Sequence, residues 1–208
     1  MMKNQIIPSI IARTKAELNH RLSKVADQSD IIQLDVMDGK FVKNKSLLFD
    51  FELPKNKYYE AHLMMKDPRS WIKKNHNKVD TIIIHLESNH FEDNLALLKK
   101  LNKKTGIAIN PKTFLSKLFF INMKEINTLL LMSVDPGKYG SPFVPHTIEK
   151  VRQARKLYLS LSIEVDGGIN NHTIPSMKKA GANKFVVGSF LQKSKNVKRD
   201  FEVLKKLI

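Results

Sequence analysis

The sequence contains no cysteine, which excludes disulfide bonds and metal sites built from thiolates. It has no apolar run near the ~20 residues that a membrane helix requires. The opening segment "MMKNQIIPSI" has one lysine and no long apolar stretch, so we expect no secretory signal. Low-complexity tracts and shifts of composition are also absent. These absences predict a cytoplasmic protein that does not enter a membrane and forms one domain over residues 1–208.

Acidic residues are scarce relative to basic ones. There are 36 Lys and Arg against 20 Asp and Glu, and the net charge is +16. The lysines are scattered along the chain in pairs, with no basic block interleaved with aromatic residues: Lys73-Lys74, Lys99-Lys100, Lys178-Lys179 and Lys205-Lys206. This scatter predicts a solvated surface that attracts anionic substrates, and it argues against a nucleic-acid partner.

Eight short apolar runs recur along the chain, from "QIIPSII" to "KFVVGSF". Amphipathic segments separate most of them, as in "AELNHRLSKVADQ", which places Leu18, Leu22 and Val25 on one helical face. The connection after the second run, "KNKSLLFDFELPKNK", predicts at most a short helix. Strands apolar on both faces and alternating with helices predict a parallel α/β fold, and eight such units favour a single (β/α)8 TIM barrel.

Polar residues gather at the ends of these runs, where a barrel carries its chemistry. Side chains alternate along a strand, so Gln33 and Asp35 share one face and should point into the barrel. A single strand-end carboxylate is usually a cap, but independent caps would not need to converge on one mouth. The converging residues are Ser9, Gln33, Asp35, His62, His85, Glu87, Asn110, Asp135, Asp166, Gly188 and Ser189.

Glycine-bearing segments follow the last three runs: "DPGKYGSP", "DGGI" and "VVGSF". Glycine lets the backbone approach a ligand closely, and the last two βα loops of a barrel commonly bind phosphate. The three segments together predict a phosphorylated substrate.

Several motifs resemble the ribulose-phosphate 3-epimerase family. They are "PSI", "LDVMDGKFV", "HLMM", "HLES", "GIAINPKT", "MSVDPGKYGSPF", "VDGGI" and "GANKFVVGSF", in family order from Pro8 to Phe190. The resemblance implies metal-assisted epimerisation at carbon 3 of a ketose phosphate. D-ribulose 5-phosphate, converted to D-xylulose 5-phosphate, is the first candidate.

The resemblance also implies roles for individual residues. Asp35 and Asp166 would exchange the proton, one as base and the other as acid. The metal ligands would be Gln33, Asp35, His62 and Asp166. The substrate-binding residues would be Ser9, Met37, His62, Met64, Met132, Gly137, Gly140, Gly167, Gly168, Gly188 and Ser189.

The chain departs from the family pattern at several places. The family's "HFVPN" reads "KFVKN" here, which puts Lys40 and Lys43 near the mouth, and its "SAD" after the first run reads "ART". Gln33 stands where the family has histidine, so we expect weaker binding of the divalent ion, whether zinc, manganese, iron or magnesium. The family's "PGFGGQ" loop reads "PGKYGS" here. These changes leave open an epimerase of another ketose phosphate, such as allulose 6-phosphate, or a catalytically reduced barrel that binds sugar phosphates.

Two further points narrow these alternatives. Retention of both aspartates argues against the reduced barrel, because binding a neutral sugar does not need two facing carboxylates. Related decarboxylases need a D-x-K-x-x-D motif, and the second position after Asp35 is Met37. The sequence leaves a homo-oligomer open.

Overall fold

A closed barrel of eight parallel strands organises the computed structural model, which describes residues 3–137 and 140–208. The first strand pairs with both the second and the last, and these pairings close the cylinder. This closure confirms the predicted TIM barrel. The strands are β1 (Gln5–Ile10), β2 (Ile31–Asp38), β4 (Tyr58–Met64), β5 (Thr81–His85), β6 (Lys104–Ile109), β7 (Thr128–Met132), β8 (Ser162–Asp166) and β9 (Lys184–Val187), with a two-residue antiparallel strand β3 (Lys45–Ser46) beside β2.

Helices cover the outside of the barrel and follow most of the strands. They are α1 (Lys15–Val25), α2 (Arg69–Asn75), α3 (Phe91–Lys100), α4 (Thr147–Leu157), α5 (Ile174–Ala180), α6 (Ser189–Gln192) and α7 (Val197–Lys205). In α1 the hydroxyl of Thr14 accepts the N–H of Glu17 and so caps the first turn. Leu18, Leu22 and Val25 are buried, as their helical spacing predicts.

Two connections depart from the strand–helix alternation. Residues 39–57 form β3 and turns but no helix, which agrees with the weak helical pattern there. After β6 the chain forms two 3₁₀ turns, Leu115–Leu118 and Met123–Glu125, where the alternation predicts an α-helix. As a result, the rings of Phe114, Phe119 and Phe120 remain exposed beside the barrel. A cavity of about 690 Å³ lies between this segment and α3, away from the strand ends that carry the converging polar residues.

Alternation along β2 separates the apolar shell from the polar lumen. Ile32, Leu34 and Val36 pack in the core between strands and helices. Gln33 and Asp35 are buried on the opposite face, inside the barrel. The predicted orientation of β2 is therefore confirmed.

The lower end of the lumen holds a buried ionic group. The ammonium of Lys184 lies 3.1 Å from a carboxylate oxygen of Glu60 and 3.3 Å from one of Glu164. Both glutamates are at most 1% exposed. An apolar cluster fills the lumen on the facing strands and separates this group from the mouth: Ile83, Ala108, Leu130, Met132 and Val134.

No helix within residues 3–137 and 140–208 is both long enough and apolar enough to span a bilayer.

Candidate active site

Two carboxylates face each other at the upper end of the lumen. Asp35 comes from β2 and Asp166 from the end of β8, on the far side of the barrel. The side-chain amide of Gln33 links them, because its Nε2 donates to Asp35 Oδ1 at 2.7 Å and to Asp166 Oδ2 at 2.9 Å. A neutral donor thus stabilises both carboxylates without cancelling their charge.

The imidazole of His62 lies against the same two carboxylate oxygens. Its Nδ1 is 3.4 Å from Asp35 Oδ1 and 3.3 Å from Asp166 Oδ2. Parallel pairing of β2 with β4 places Asp35 directly opposite His62, which explains how the two side chains meet. His62 is fully buried beneath the carboxylates.

Burial and mutual charge shift the protonation of this group. Burial raises the pKa of Asp35, and the nearby Asp166 carboxylate raises it further against the opposing effect of His62. Burial alone would lower the pKa of His62, but the adjacent carboxylates of Asp166 and Asp35 outweigh it and raise that pKa to about 9. Without a metal ion, His62 is therefore a cation near neutral pH.

The donor set fits a divalent ion. Ligand atoms of Asp35, His62 and Asp166 lie within 4.8 Å of one another, and all three residues are buried. Two further observations point the same way: His62 Nδ1 and Gln33 Oε1 are buried, and neither has a hydrogen-bond partner among the residues that the structure describes. An ion between the carboxylates would satisfy His62 Nδ1, and rotation of the Gln33 amide would present its oxygen.

A small cavity of about 50 Å³ opens above the carboxylates. It brings together both aspartates and most of the predicted substrate-binding residues. These are Ser9, Met64, Met132, Gly137, Gly140, Gly167, Gly168, Gly188 and Ser189, with Ile11, Val134 and Ser141 completing the wall.

The remaining predicted residues lie elsewhere. Gln33 and His62 are below the cavity, in contact with the carboxylates. Met37 is fully buried, lies opposite Ser46 on β3 and is not part of the cavity wall. Its predicted place beside the substrate stays a prediction. Of the altered "PGKYGS" loop, Lys138 and Tyr139 lie outside the described residues.

One glycine in the wall is required by the backbone. Gly167 has φ of +112°, and a Cβ there would overlap the side chain of Val134. Both residues line the cavity, so glycine avoids this overlap in its wall.

The sequence pattern predicts that His85 and Glu87 lie at the mouth, but it indicates no function for them. His85 Nε2 is 2.9 Å from His62 Nε2, and His85 Nδ1 is 3.1 Å from Glu87 Oε2. The i, i+2 spacing of His85 and Glu87 repeats that of Gln33 and Asp35. That repeated same-face spacing was the signal that the two residues belong to the site.

Comparison with protein families gives a match to the model of the ribulose-phosphate 3 epimerase family over residues 5–192. A ribulose-phosphate 3-epimerase of Buchnera aphidicola is 37% identical, with 99% of this chain and 95% of that protein covered. The Synechocystis enzyme of the same name is 34% identical, with 91% and 88% covered. The Escherichia coli K12 enzyme is 34% identical, with 91% and 89% covered.

Solved structures share the fold at low sequence identity. A 3-hexulose-6-phosphate synthase from Salmonella typhimurium has a TM-score of 0.72 and 14% identity, with 99% of this chain and 98% of that chain covered. A 3-keto-L-gulonate-6-phosphate decarboxylase from Vibrio cholerae has a TM-score of 0.72 and 15% identity, with 99% and 97% covered. At this identity, the likeness shows a shared barrel.

Proposed function

This chain belongs to the ribulose-phosphate 3-epimerase family, and from that premise we propose that it interconverts D-ribulose 5-phosphate and D-xylulose 5-phosphate. Such an enzyme is an isomerase that moves one proton at carbon 3. The observation that carries the proposal is the facing pair Asp35 and Asp166, both in the wall of one cavity.

Epimerisation needs a base on one face of the substrate carbon and an acid on the other. In one direction one carboxylate takes the carbon-3 proton and the other, protonated, returns a proton to the opposite face. In the reverse direction the two exchange roles. Burial and the charge of the nearby Asp166 carboxylate resist ionisation of Asp35 and raise its pKa.

Gln33 and His62 fix the positions of the Asp35 and Asp166 carboxylates. The amide donates to one oxygen of each carboxylate, and His62 Nδ1 faces the same two oxygens. Gln33 Nε2 and His62 Nδ1 lie below the carboxylates, against Asp35 Oδ1 and Asp166 Oδ2. The second oxygen of each carboxylate can therefore exchange a proton with a substrate in the cavity above.

We propose that Asp35, His62, Asp166 and the oxygen of Gln33 hold a divalent ion. Such an ion would supply Lewis-acid stabilisation of the negative charge that develops on the substrate oxygens. With one imidazole among oxygen donors, the set favours manganese, magnesium or iron more than a two-histidine set would, and zinc less.

We place the phosphate of the substrate at the glycine-lined end of the cavity. The backbone around Gly167, Gly168, Gly188 and Ser189 lies there without bulky side chains. The cavity of about 50 Å³ is far below the ~300 Å³ or more of small-molecule sites. We therefore expect the wall of the cavity to move when the substrate enters.

A panel of ketose phosphates in deuterated water tests the proposal. We expect deuterium at carbon 3 of ribulose 5-phosphate and xylulose 5-phosphate, detected by proton NMR, with metal analysis of the same sample. Faster exchange of allulose 6-phosphate would identify the alternative substrate. Absence of carbon-3 exchange in every ketose phosphate would overturn the enzyme proposal and favour a binding barrel.

Other expectations about this protein stay predictions. They are a cytoplasmic location and the absence of a nucleic-acid partner, with a homo-oligomer as an open alternative.

A further inference from the structure

A line of three side chains runs from the metal-ligand group to the outer edge of the barrel mouth. Glu87 Oε2 lies 3.1 Å from His85 Nδ1, and His85 Nε2 lies 2.9 Å from His62 Nε2. Both imidazoles are fully buried. Their ring centroids are 5.0 Å apart and their planes differ by 23°. With a nitrogen–nitrogen distance of 2.9 Å, the rings meet edge to edge, as an N–H···N hydrogen bond requires.

The carboxylate of Glu87 sets the direction of this line. Its other oxygen accepts the backbone N–H of Asn110 at 2.8 Å and the hydroxyl of Thr113. Although burial opposes ionisation, hydrogen bonds from His85, Thr113 and Asn110 lower the pKa of Glu87 to about 2. An ionised carboxylate can accept and cannot donate, so His85 Nδ1 must carry the proton between the two residues.

The proton on His85 Nδ1 determines the next bond. His85 is fully buried, and its Nδ1 faces the carboxylate of Glu87, whereas its Nε2 faces the imidazole of His62. A second proton on this ring would be a buried charge directed at another imidazole, so Nε2 bears the lone pair. His62 Nε2 must then donate to it. The ring of Phe41, whose centroid is 4.7 Å from that of His85, packs against the imidazole and restricts its rotation.

We propose that Glu87 and His85 are positioning residues that fix His62 in its Nε2–H form, and thereby present the Nδ1 lone pair to an ion held by Asp35 and Asp166. A neutral imidazole has one lone pair, and a ligand histidine needs it on the metal side. The ion in this statement rests on the proposed function, whereas the order of protons along the line does not.

Nitrogen-15 NMR of histidine-labelled protein tests the proton order directly. In metal-free wild-type protein near pH 7, we expect His85 to be protonated at Nδ1 and bare at Nε2. Resonances are assigned from single His→Gln variants. Protonation of His85 at Nε2 would overturn the proposal, and this measurement requires no folded Glu87 variant.

The substitution Glu87→Gln should reverse the direction of the hydrogen bonds from residue 87 through His85 to His62. The N–H of Asn110 and the hydroxyl of Thr113 will hold the amide oxygen of the new side chain, so its NH₂ must face His85 Nδ1. His85 then carries its proton on Nε2, and His62 changes from a ring protonated at both nitrogens to one protonated at Nδ1 alone, with Nε2 as the acceptor. We expect this change in the NMR spectrum of the metal-free variant and a ~10- to 100-fold loss of zinc affinity by calorimetry.

Two matched variants separate proton order from simple disruption. Thr113→Val removes one donor to Glu87 and keeps the carboxylate, so His85 should stay protonated at Nδ1. Glu125→Gln makes the same change at an exposed glutamate and should leave zinc affinity and turnover unaltered. Wild-type proton order and zinc affinity in folded Glu87→Gln would overturn the proposal.

The outcome is distinguishable from failure of the proposed function. If the expected proton order is seen but no ketose phosphate exchanges its carbon-3 proton, the line of hydrogen bonds stands and the epimerase proposal fails. If exchange occurs while His85 is protonated at Nε2, the epimerase proposal stands and the positioning role fails.

Discussion

The amide of Gln33 carries a hydrogen-bond donor and an acceptor, and these suit the metal-free and the metal-bound states of the site. Its nitrogen now donates to Asp35 and Asp166, while its buried oxygen has no hydrogen-bond partner in the described part of the chain. A half-turn of the amide would exchange the two ends at little steric cost, because oxygen and NH₂ are similar in size. The Gln33 side chain can therefore link the two carboxylates when no ion is bound, and it can offer its oxygen as a ligand when an ion binds.

Replacing this amide with imidazole should strengthen zinc binding. We predict that Gln33→His raises zinc affinity by roughly tenfold or more, because nitrogen is the better donor for zinc. Calorimetric titration of both proteins measures the change, and the wild-type protein should be purified with less than one equivalent of metal. Gln153→His, on the exposed face of α4, is the control and should leave zinc affinity unchanged. Equal affinities for wild type and Gln33→His would show that position 33 does not provide a ligand.

The two aspartates should be indispensable for proton exchange. We predict that Asp35→Asn and Asp166→Asn each lower turnover by at least ~100-fold, because an amide cannot act as base or acid. The far-ultraviolet circular dichroism of both variants should match that of the wild type. Asp27→Asn changes an exposed carboxylate and should retain full turnover. A well-folded variant with near-normal turnover would remove that aspartate from the mechanism.

Metal binding should displace a proton from His62. Its pKa of about 9 in the metal-free site means that the ring is charged at pH 7, and a charged ring has no lone pair to offer. We predict release of about one proton per zinc ion at pH 7 and an affinity that rises with pH until about 9. Calorimetry in buffers of different ionisation enthalpy measures the release. An affinity independent of pH between 7 and 9 would contradict ligation by His62.

At the scale of elements, strand patterns were predictable and the irregular crossover was not. Each of the eight apolar runs became a strand, because an eight-stranded barrel demands buried β-branched residues at fixed intervals. The segment around Phe114, Phe119 and Phe120 is as apolar as a helix face, yet it forms 3₁₀ turns. Contacts between residues far apart in the sequence were not predictable either. No feature of the sequence near Gln33 indicates that its side-chain nitrogen reaches Asp166 across the lumen.

The buried ionic group links the lower ends of β4, β8 and β9, and it should be costly to break. We predict that Lys184→Met lowers the free energy of unfolding by about 3–5 kcal/mol at pH 7, because Glu60 and Glu164 would remain buried without a cation. Urea denaturation measures the loss, and Lys100→Met, an exposed change on α3, is the control.

The same variant should regain stability in acid. Burial and the charge of Glu60 raise the pKa of Glu164 well above its ordinary value even beside Lys184. A carboxyl with a raised folded pKa contributes most below its unfolded pKa and loses that contribution as pH rises through the folded pKa. The deficit of Lys184→Met should therefore shrink between pH 7 and pH 5. A deficit that is constant over this range would contradict the ionic origin of the loss.

At the scale of the whole molecule, the closed sheet ties the two ends of the chain together. β1 pairs with β2 on one side and with β9 on the other, so the loss of either neighbour opens the cylinder. We predict that residues 1–208 unfold in one cooperative transition, with equal calorimetric and van't Hoff enthalpies. Separate transitions by calorimetry or by two optical probes would contradict a single folding unit.

The place of β9 also constrains how the chain folds during synthesis. β9 ends at Val187 and lies between β1 and β8, so a nascent chain presents β1 with one unpaired edge until nearly its whole length has left the ribosome. An exposed edge of apolar strand is prone to pair with other chains. Incorrect pairing with other chains is therefore possible during most of translation. A ribosome-associated chaperone that shields the amino-terminal strands would act in the period when this barrel is most prone to misassembly.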